Sequence, residues 1–262
     1  MFQPVIPLGG FAGWRFLERT LESQQTAFVE STTLARATDY FRENISKVTS
    51  AADLVADRQL LSVALGAFGL DDDIGNKFFI QKILEDGTAS DEALSSRLAD
   101  KSYAALSAAF GFGDEVGSRT GLTGFADTML ARYETKQFEI AVGEQNNDLR
   151  LALGLEESLN DVAEQTESES AQWFVMMGSP TLRNVFETAL GLPKSLALID
   201  LDQQLTAFQD RAQSVFGTDK IADFTSPDQR EELLRMFLVR SQVNNISTFS
   251  SGNVALTLLR SM

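Results

Sequence analysis

A chain of 262 residues, 44% hydrophobic and 23% charged, has the composition of an ordinary globular protein long enough to build a core without cross-links. Its formal charge of −15 runs against the clustered Lys and Arg that nucleic acid or an anionic membrane surface would require. It contains no Cys and no His, which excludes disulfides, thiolate and imidazole metal ligands, and every His-based catalytic dyad.

Taken in chain order, residues 1–13 carry Pro4, Pro7, Gly9, Gly10 and Gly13, a spacing that predicts a mobile lead-in. From Trp14 to about Val48 there is no Gly or Pro, and Leu17, Leu21, Phe28, Leu34, Phe41, Ile45 and Val48 recur at helical intervals. That is one long apolar stripe, with Ser31, Thr32 and Thr33 as the place for a break. Thr49 and Ser50 cap an approach through Leu54 to the stretch Asp57–Leu70. There Leu60, Leu61, Val63, Ala64, Leu65, Ala67 and Phe68 make nearly every face hydrophobic, so the helix is expected to be buried. It closes on Gly69 and Leu70, the pattern of a left-handed glycine cap. Asp71, Asp72 and Asp73 are placed to cap the next helix, which carries Ile74, Phe78, Phe79, Ile83 and Leu84. A calcium loop starting there would need Gly and Glu where the chain has Asn76 and Lys82. Ser90 opens a further helix through Leu94 to Phe110.

Residues 111–124 hold glycines at 111, 113, 117, 121 and 124 and are expected to form a flexible linker between a first unit, 14–110, and a second, 125–243. A phosphate cradle is disfavoured there, because no strand precedes the glycines and no Gly-Lys-Ser/Thr occurs. The second unit opens with a long helix from Phe125 to about Asp148, and its Tyr133–Gln137 echoes Leu21–Gln25. Gly154 stops a short helix, and the acidic stretch 156–170 reads as a solvated face rather than paired catalytic carboxylates. Trp173, Phe174, Met176 and Met177 read as packing. They lead into Thr181–Leu192, where Leu182, Val185, Ala189, Gly191 and Leu192 match Leu60, Val63, Ala67, Gly69 and Leu70. The chain is therefore read as two related helical units, each with a long helix and a buried core helix. No alternating strand pattern occurs, so the expected fold is an all-α helical bundle.

Beyond Pro193, Leu196–Leu201 is apolar and a helix follows from Asp202 to Phe216. Ser226, Pro227 and Gln229 open the last core helix, with Leu233, Leu234, Phe237 and Leu238 inward. The tail 244–262 is a polar spacer followed by an apolar tip of Val254, Leu256, Leu258 and Leu259. The favoured reading docks the tip on the chain's own core. The other makes those four residues a partner-binding helix on a flexible arm.

Several stretches carry a likeness to a known family: Leu17–Thr20, Tyr40–Val48, Ala67–Leu70 with Phe79–Leu84, Gly143–Leu153, Thr188–Pro193 and Ile199–Gln204. Together they resemble the bacterial family called domain of unknown function twelve-seventeen, found largely in alphaproteobacteria, encoded among flagellar genes, with members labelled flagellar basal-body rod proteins. The likeness spans most of residues 17–240 and rests on helix-core patterns, so it implies no catalytic or ligand residues. The expected function is a non-enzymatic, flagellum-associated one, exercised through protein–protein contacts in a structural or assembly role, without cofactor or metal. The expected partner is a flagellar or export component, and the expected location cytoplasmic or flagellum-associated, since no Sec-type signal and no membrane span is evident. The alternative is an enzyme or small-ligand-binding protein with its site between the two helical units.

Overall fold

A computed structural model of the chain describes residues 2–260 apart from 91, 99 and 167, with side chains through residue 245. The fold is all-α: helices joined by tight corners and 3-10 turns, with no strand among the described residues. It divides into two compact units, residues 1–5 with 20–141 and residues 6–19 with 142–262. The divisions fall after Val5, inside α1 (Gly10–Val29) and inside α8 (Phe125–Gly143), away from the glycine-rich stretch 111–124.

That stretch lies within the first unit, and it is tied down rather than flexible. The Arg119 N–H donates to the Phe110 carbonyl at 2.9 Å, and Asp114 accepts from the Thr88 N–H at 3.2 Å and pairs with Arg119 at 3.3 Å. Thr120, buried, donates its hydroxyl to the Val48 carbonyl at 2.5 Å. Two of its glycines serve close packing: a Cβ at Gly113 would strike the backbone of Gly87 and Glu85, and one at Gly111 would stand 2.9 Å from the Gly117 carbonyl oxygen. The lead-in is likewise anchored, with Pro4 buried and Gln24 clamping Val5 through both of its peptide groups. Helix α1 starts at Gly10 rather than Trp14, and Gly13 leaves room for the Leu8 carbonyl, which a Cβ would strike.

The first unit continues through α2 (Thr32–Asn44), α3 (Ala51–Ala56), α4 (Arg58–Gly66), α5 (Lys77–Asp86), α6 (Leu94–Arg97) and α7 (Ser102–Phe110) into α8. The long stripe from residue 14 breaks at Ser31, which is extended and precedes α2. Helix α4 is the buried one, packed on α2 and α3. A single residue, Asp57, both ends α3 and caps α4. One carboxylate oxygen accepts from the N–H groups of Gln59 and Leu60 at 2.9 and 3.1 Å, the other from the Tyr40 hydroxyl at 2.7 Å. Burial alone would raise the Asp57 carboxyl, but these donors hold it below its ordinary value, and the same bond raises the Tyr40 phenol. At the far end Gly69 takes φ +70° and the Leu70 N–H reaches back to the Leu65 carbonyl at 3.0 Å. Helix α8 lies against this end, with Arg132 over the Phe68 ring at 5.4 Å. Asp71 and Asp73 do not cap α5. They sit in a separate 3-10 turn, Asp71–Gly75, and bind Gln137 at 2.8 Å and the Tyr103 hydroxyl at 2.5 Å, a bond that pushes the Tyr103 phenol up to about 12.

The second unit contains α9 (Asn147–Leu153), α10 (Leu155–Gln165), α11 (Glu169–Gly178), α12 (Pro180–Leu190), α13 (Leu201–Phe216) and α14 (Pro227–Arg260). Its buried helix is α12, entered through another one-residue corner: Ser179 ends α11, and its hydroxyl accepts from the Leu182 N–H at 3.4 Å. It leaves through Gly191 at φ +69°, with the Leu192 N–H returning to the Glu187 carbonyl at 2.9 Å. The last carbonyls of α12 take cations: Arg240 donates to Ala189 and Arg211 to Leu190, both at 2.8 Å. Helix α14 packs on α12 and buries Leu233, Leu234, Phe237 and Leu238. Trp173, Met176 and Met177 are buried, and the Trp173 indole donates to the Asp219 carbonyl at 2.6 Å. The backbone of 244–253 is helical and continuous with α14, so no spacer interrupts it. The side chains of Val254, Leu256, Leu258 and Leu259 lie outside the described residues.

Three substitutions test this frame by thermal or denaturant unfolding. Gly69→Ala, where a Cβ meets open space, should cost about 1 kcal/mol for its positive φ, and Gly191→Ala distinctly more, because its Cβ would stand 2.6 Å from the Arg240 guanidinium. Thr120→Val should cost about 1–3 kcal/mol by leaving the Val48 carbonyl buried and unpaired. An unchanged midpoint would return 111–124 to the status of a free linker.

Candidate interaction surface

Pro193 stops α12 from continuing, and the chain makes one 3-10 turn, Lys194–Leu198, before Asp200 caps α13. The turn is too short to wrap its apolar residues onto a core. Leu196 alone is buried, while Leu198 is 86% exposed, Ile199 43% and Leu201 51%. Three large apolar side chains within four positions therefore face solvent.

Their backbone is nonetheless fixed. Arg183 on α12 pairs with Glu187 at 2.7 Å, lies over the Phe208 ring at 5.8 Å, and donates to the Gln204 side-chain oxygen at 2.8 Å. Gln204, buried on α13, passes the connection on: its amide nitrogen donates to the Ile199 carbonyl at 2.7 Å. The Asp200 carboxylate accepts from the Asp202 N–H at 3.0 Å. An apolar run held in one conformation by a buried polar relay is a preorganised contact surface, because little entropy remains to be lost when a partner covers it.

The run is continuous in sequence with a cleft of about 310 Å³ between α12 and α14, lined by Glu187, Thr188, Leu192, Lys194, Arg240 and Val243. Val239 and Val243 add exposed apolar surface on α14. The lining is mixed, with two cations at the carbonyl end of α12 beside Leu192 and Val243, and it holds no nucleophile paired with a base.

The other sequence candidates are placed as follows. Asp71 and Asp73 are engaged by Gln137 and Tyr103, and Glu156 pairs with Arg230 at 3.1 Å. Among the described residues no group of three acids is arranged to hold a metal ion, and no helix is long and apolar enough to cross a membrane. Sequence reasoning missed Leu198, Ile199 and Leu201, because an apolar run reads as core. The available signal was spacing: Pro193 and the Asp200 cap leave too few residues between them to form a helix that could bury the run.

Residues 67–229, which include this surface, match the model of a family described as Protein of unknown function (DUF1217). The fold is similar to the X-ray crystal structure of Protein AGR_C_984 from Agrobacterium tumefaciens, with a TM-score of 0.73 and 25% sequence identity over 93% of this chain and 99% of that one. No curated protein matches the chain.

Gln204→Leu tests the relay. It should free the Ile199 carbonyl, cost about 1–2 kcal/mol, and raise amide hydrogen exchange across 194–200 relative to the rest of α13. Unaltered exchange there would show that the run is held by something other than Gln204.

Proposed function

The chain belongs to the protein family of unknown function DUF1217, and from that membership we propose a non-enzymatic, flagellum-associated protein that acts by binding another protein in a structural or assembly role. The observation that carries the binding reading is the rigid, solvent-facing run of Leu198, Ile199 and Leu201, beside a mixed cleft rather than a catalytic constellation. What supports the flagellar part is the likeness of Tyr40–Val48, Gly143–Leu153 and Thr188–Pro193 to a family encoded among flagellar genes. The partner is a flagellar or export component with a complementary apolar face, met in the cytoplasm or at the flagellum. We also read the two units as related. Each uses the same order of helix, one-residue corner, buried helix, left-handed glycine and 3-10 turn.

Deleting the gene should impair swimming or filament assembly, and a complementing copy carrying Leu198→Ser and Leu201→Ser should fail to restore it. That variant should melt within about 0.5 kcal/mol of the parent, because both side chains are exposed. Normal motility in the deletion would remove the flagellar assignment. Full rescue by the double variant would remove the surface.

A further inference from the structure

A second cleft, of about 420 Å³, lies in the first unit between α2, α4 and the 71–75 turn, a size within the range of small-molecule sites. Helix α2 contributes Thr33 and Arg36 to it, α4 contributes Arg58 and Ser62, and the turn contributes Asp71. Both arginines are exposed, and neither makes a hydrogen bond, ion pair or ring contact. A guanidinium with no such contact is the exception in this chain, since most of the others meet carboxylates, carbonyl oxygens or a ring, as at Arg119, Arg240 and Arg132. Among the described arginines only Arg97 shares that condition, so two of the three stand at one cleft.

Arg58 is also placed against its own helix. It is the first residue of α4, where the peptide dipoles favour a negative side chain and disfavour a cation. The adjacent acid makes no ion pair with it, the Asp57 oxygens being turned to Gln59, Leu60 and Tyr40. Asp71 presents the opposite imbalance. Its Oδ1 accepts from Gln137, while Oδ2 is buried with no donor. A carboxylate oxygen without a donor is an acceptor left open, and because this one is closed off from solvent, a ligand N–H meets it only when the Asp71 side chain turns toward the cleft.

We propose that this cleft binds a carboxylate carrying a neighbouring N–H donor, as in a free amino acid or the acidic end of a peptide. The carboxylate lies in the paired guanidinium forks of Arg36 and Arg58, and the ammonium or amide N–H is directed to Asp71, with Thr33 and Ser62 supplying hydroxyls at the rim. A phosphate fits worse, because it brings only acceptors and more negative charge to a lining that already holds a carboxylate. The inference is independent of the apolar surface in the second unit and of the flagellar assignment.

The test is amide NMR of the labelled full chain titrated with L-glutamate, a blocked acidic tripeptide, succinate and inorganic phosphate at millimolar concentration. Amides around 33–36 and 58–62 should shift with glutamate or with the tripeptide, and whichever binds identifies the source as free amino acid or peptide. Succinate, which lacks the N–H, should bind roughly tenfold more weakly or worse. Arg36→Gln and Arg58→Gln should each abolish the shifts, and Arg58→Gln should leave the melting temperature unchanged or raise it, since it removes a cation from a helix start. Asp71→Asn should erase the preference over succinate. Absence of shifts with both amino acid and peptide, tighter binding of phosphate, equal binding of succinate, or shifts that survive in the Arg36→Gln/Arg58→Gln double variant would overturn the proposal.

Discussion

Every helix leaves peptide N–H groups over at its start and carbonyls over at its end, and a helix packed into a core draws partners for them from the protein itself. Helices α4 and α12 pack most of their apolar side chains into their units while Arg58, Ser62, Thr181 and Asn184 stay exposed, and much of each unit is arranged around meeting that demand. At the N-terminal ends Asp57 and Ser179 supply side-chain acceptors to the first free N–H groups. At the C-terminal ends Gly69 and Gly191 turn the chain so that the following N–H folds back onto an open carbonyl. In the second unit two more carbonyls are closed by Arg211 and Arg240, which arrive from α13 and α14. Docking those helices and completing the end of α12 are therefore the same event. Gly191 has two tasks in it: it accepts the left-handed turn, and its missing side chain leaves the space in which the Arg240 guanidinium sits.

The surface proposed for partner binding inherits its geometry from that buried helix. Arg183 stands on α12, and through Gln204 it fixes the carbonyl of Ile199, so the position of the exposed run follows from the packing of the core rather than from the run's own preferences. Solvent-facing leucines are a liability for a soluble domain. Holding them still limits the number of partners they can fit, because a rigid surface discriminates by shape where a mobile one adapts.

Much of the fold was legible in the residues. The two core helices could be read from apolar residues, on nearly every face of α4 and along one face of α12, each closed by Gly-Leu, because a left-handed glycine cap leaves a local sequence trace. The break at Ser31 and the start of α14 at Pro227 were legible for the same reason, since caps are written within a few residues. Glycine was the ambiguous letter. At Gly13 and Gly113 it marks close backbone approach, whereas composition suggested flexibility, and nothing within a short window separates the two uses. Arg240 on the carbonyl of Ala189 and Thr120 on that of Val48 are pairings far apart in sequence, with no periodicity to announce them. The exposed run at 198–201 was hidden by its own composition, because hydrophobicity reports a preference for burial and not whether the chain provides a place for it.

The one-residue corners at Asp57 and Ser179 fix something besides identity. Each residue is at once the end of one helix and the cap of the next, so the chain has no slack there in which to absorb a change of length. An inserted residue would turn the following helix by about 100° about its axis, carrying Leu61 and Ala64, or Phe186 and Ala189, off the core while pulling the cap from its N–H. Relatives that keep this architecture should therefore align without gaps at both corners. Their insertions and deletions should collect instead at exposed tips such as the one carrying Val116, where an added residue lengthens a loop and rotates nothing.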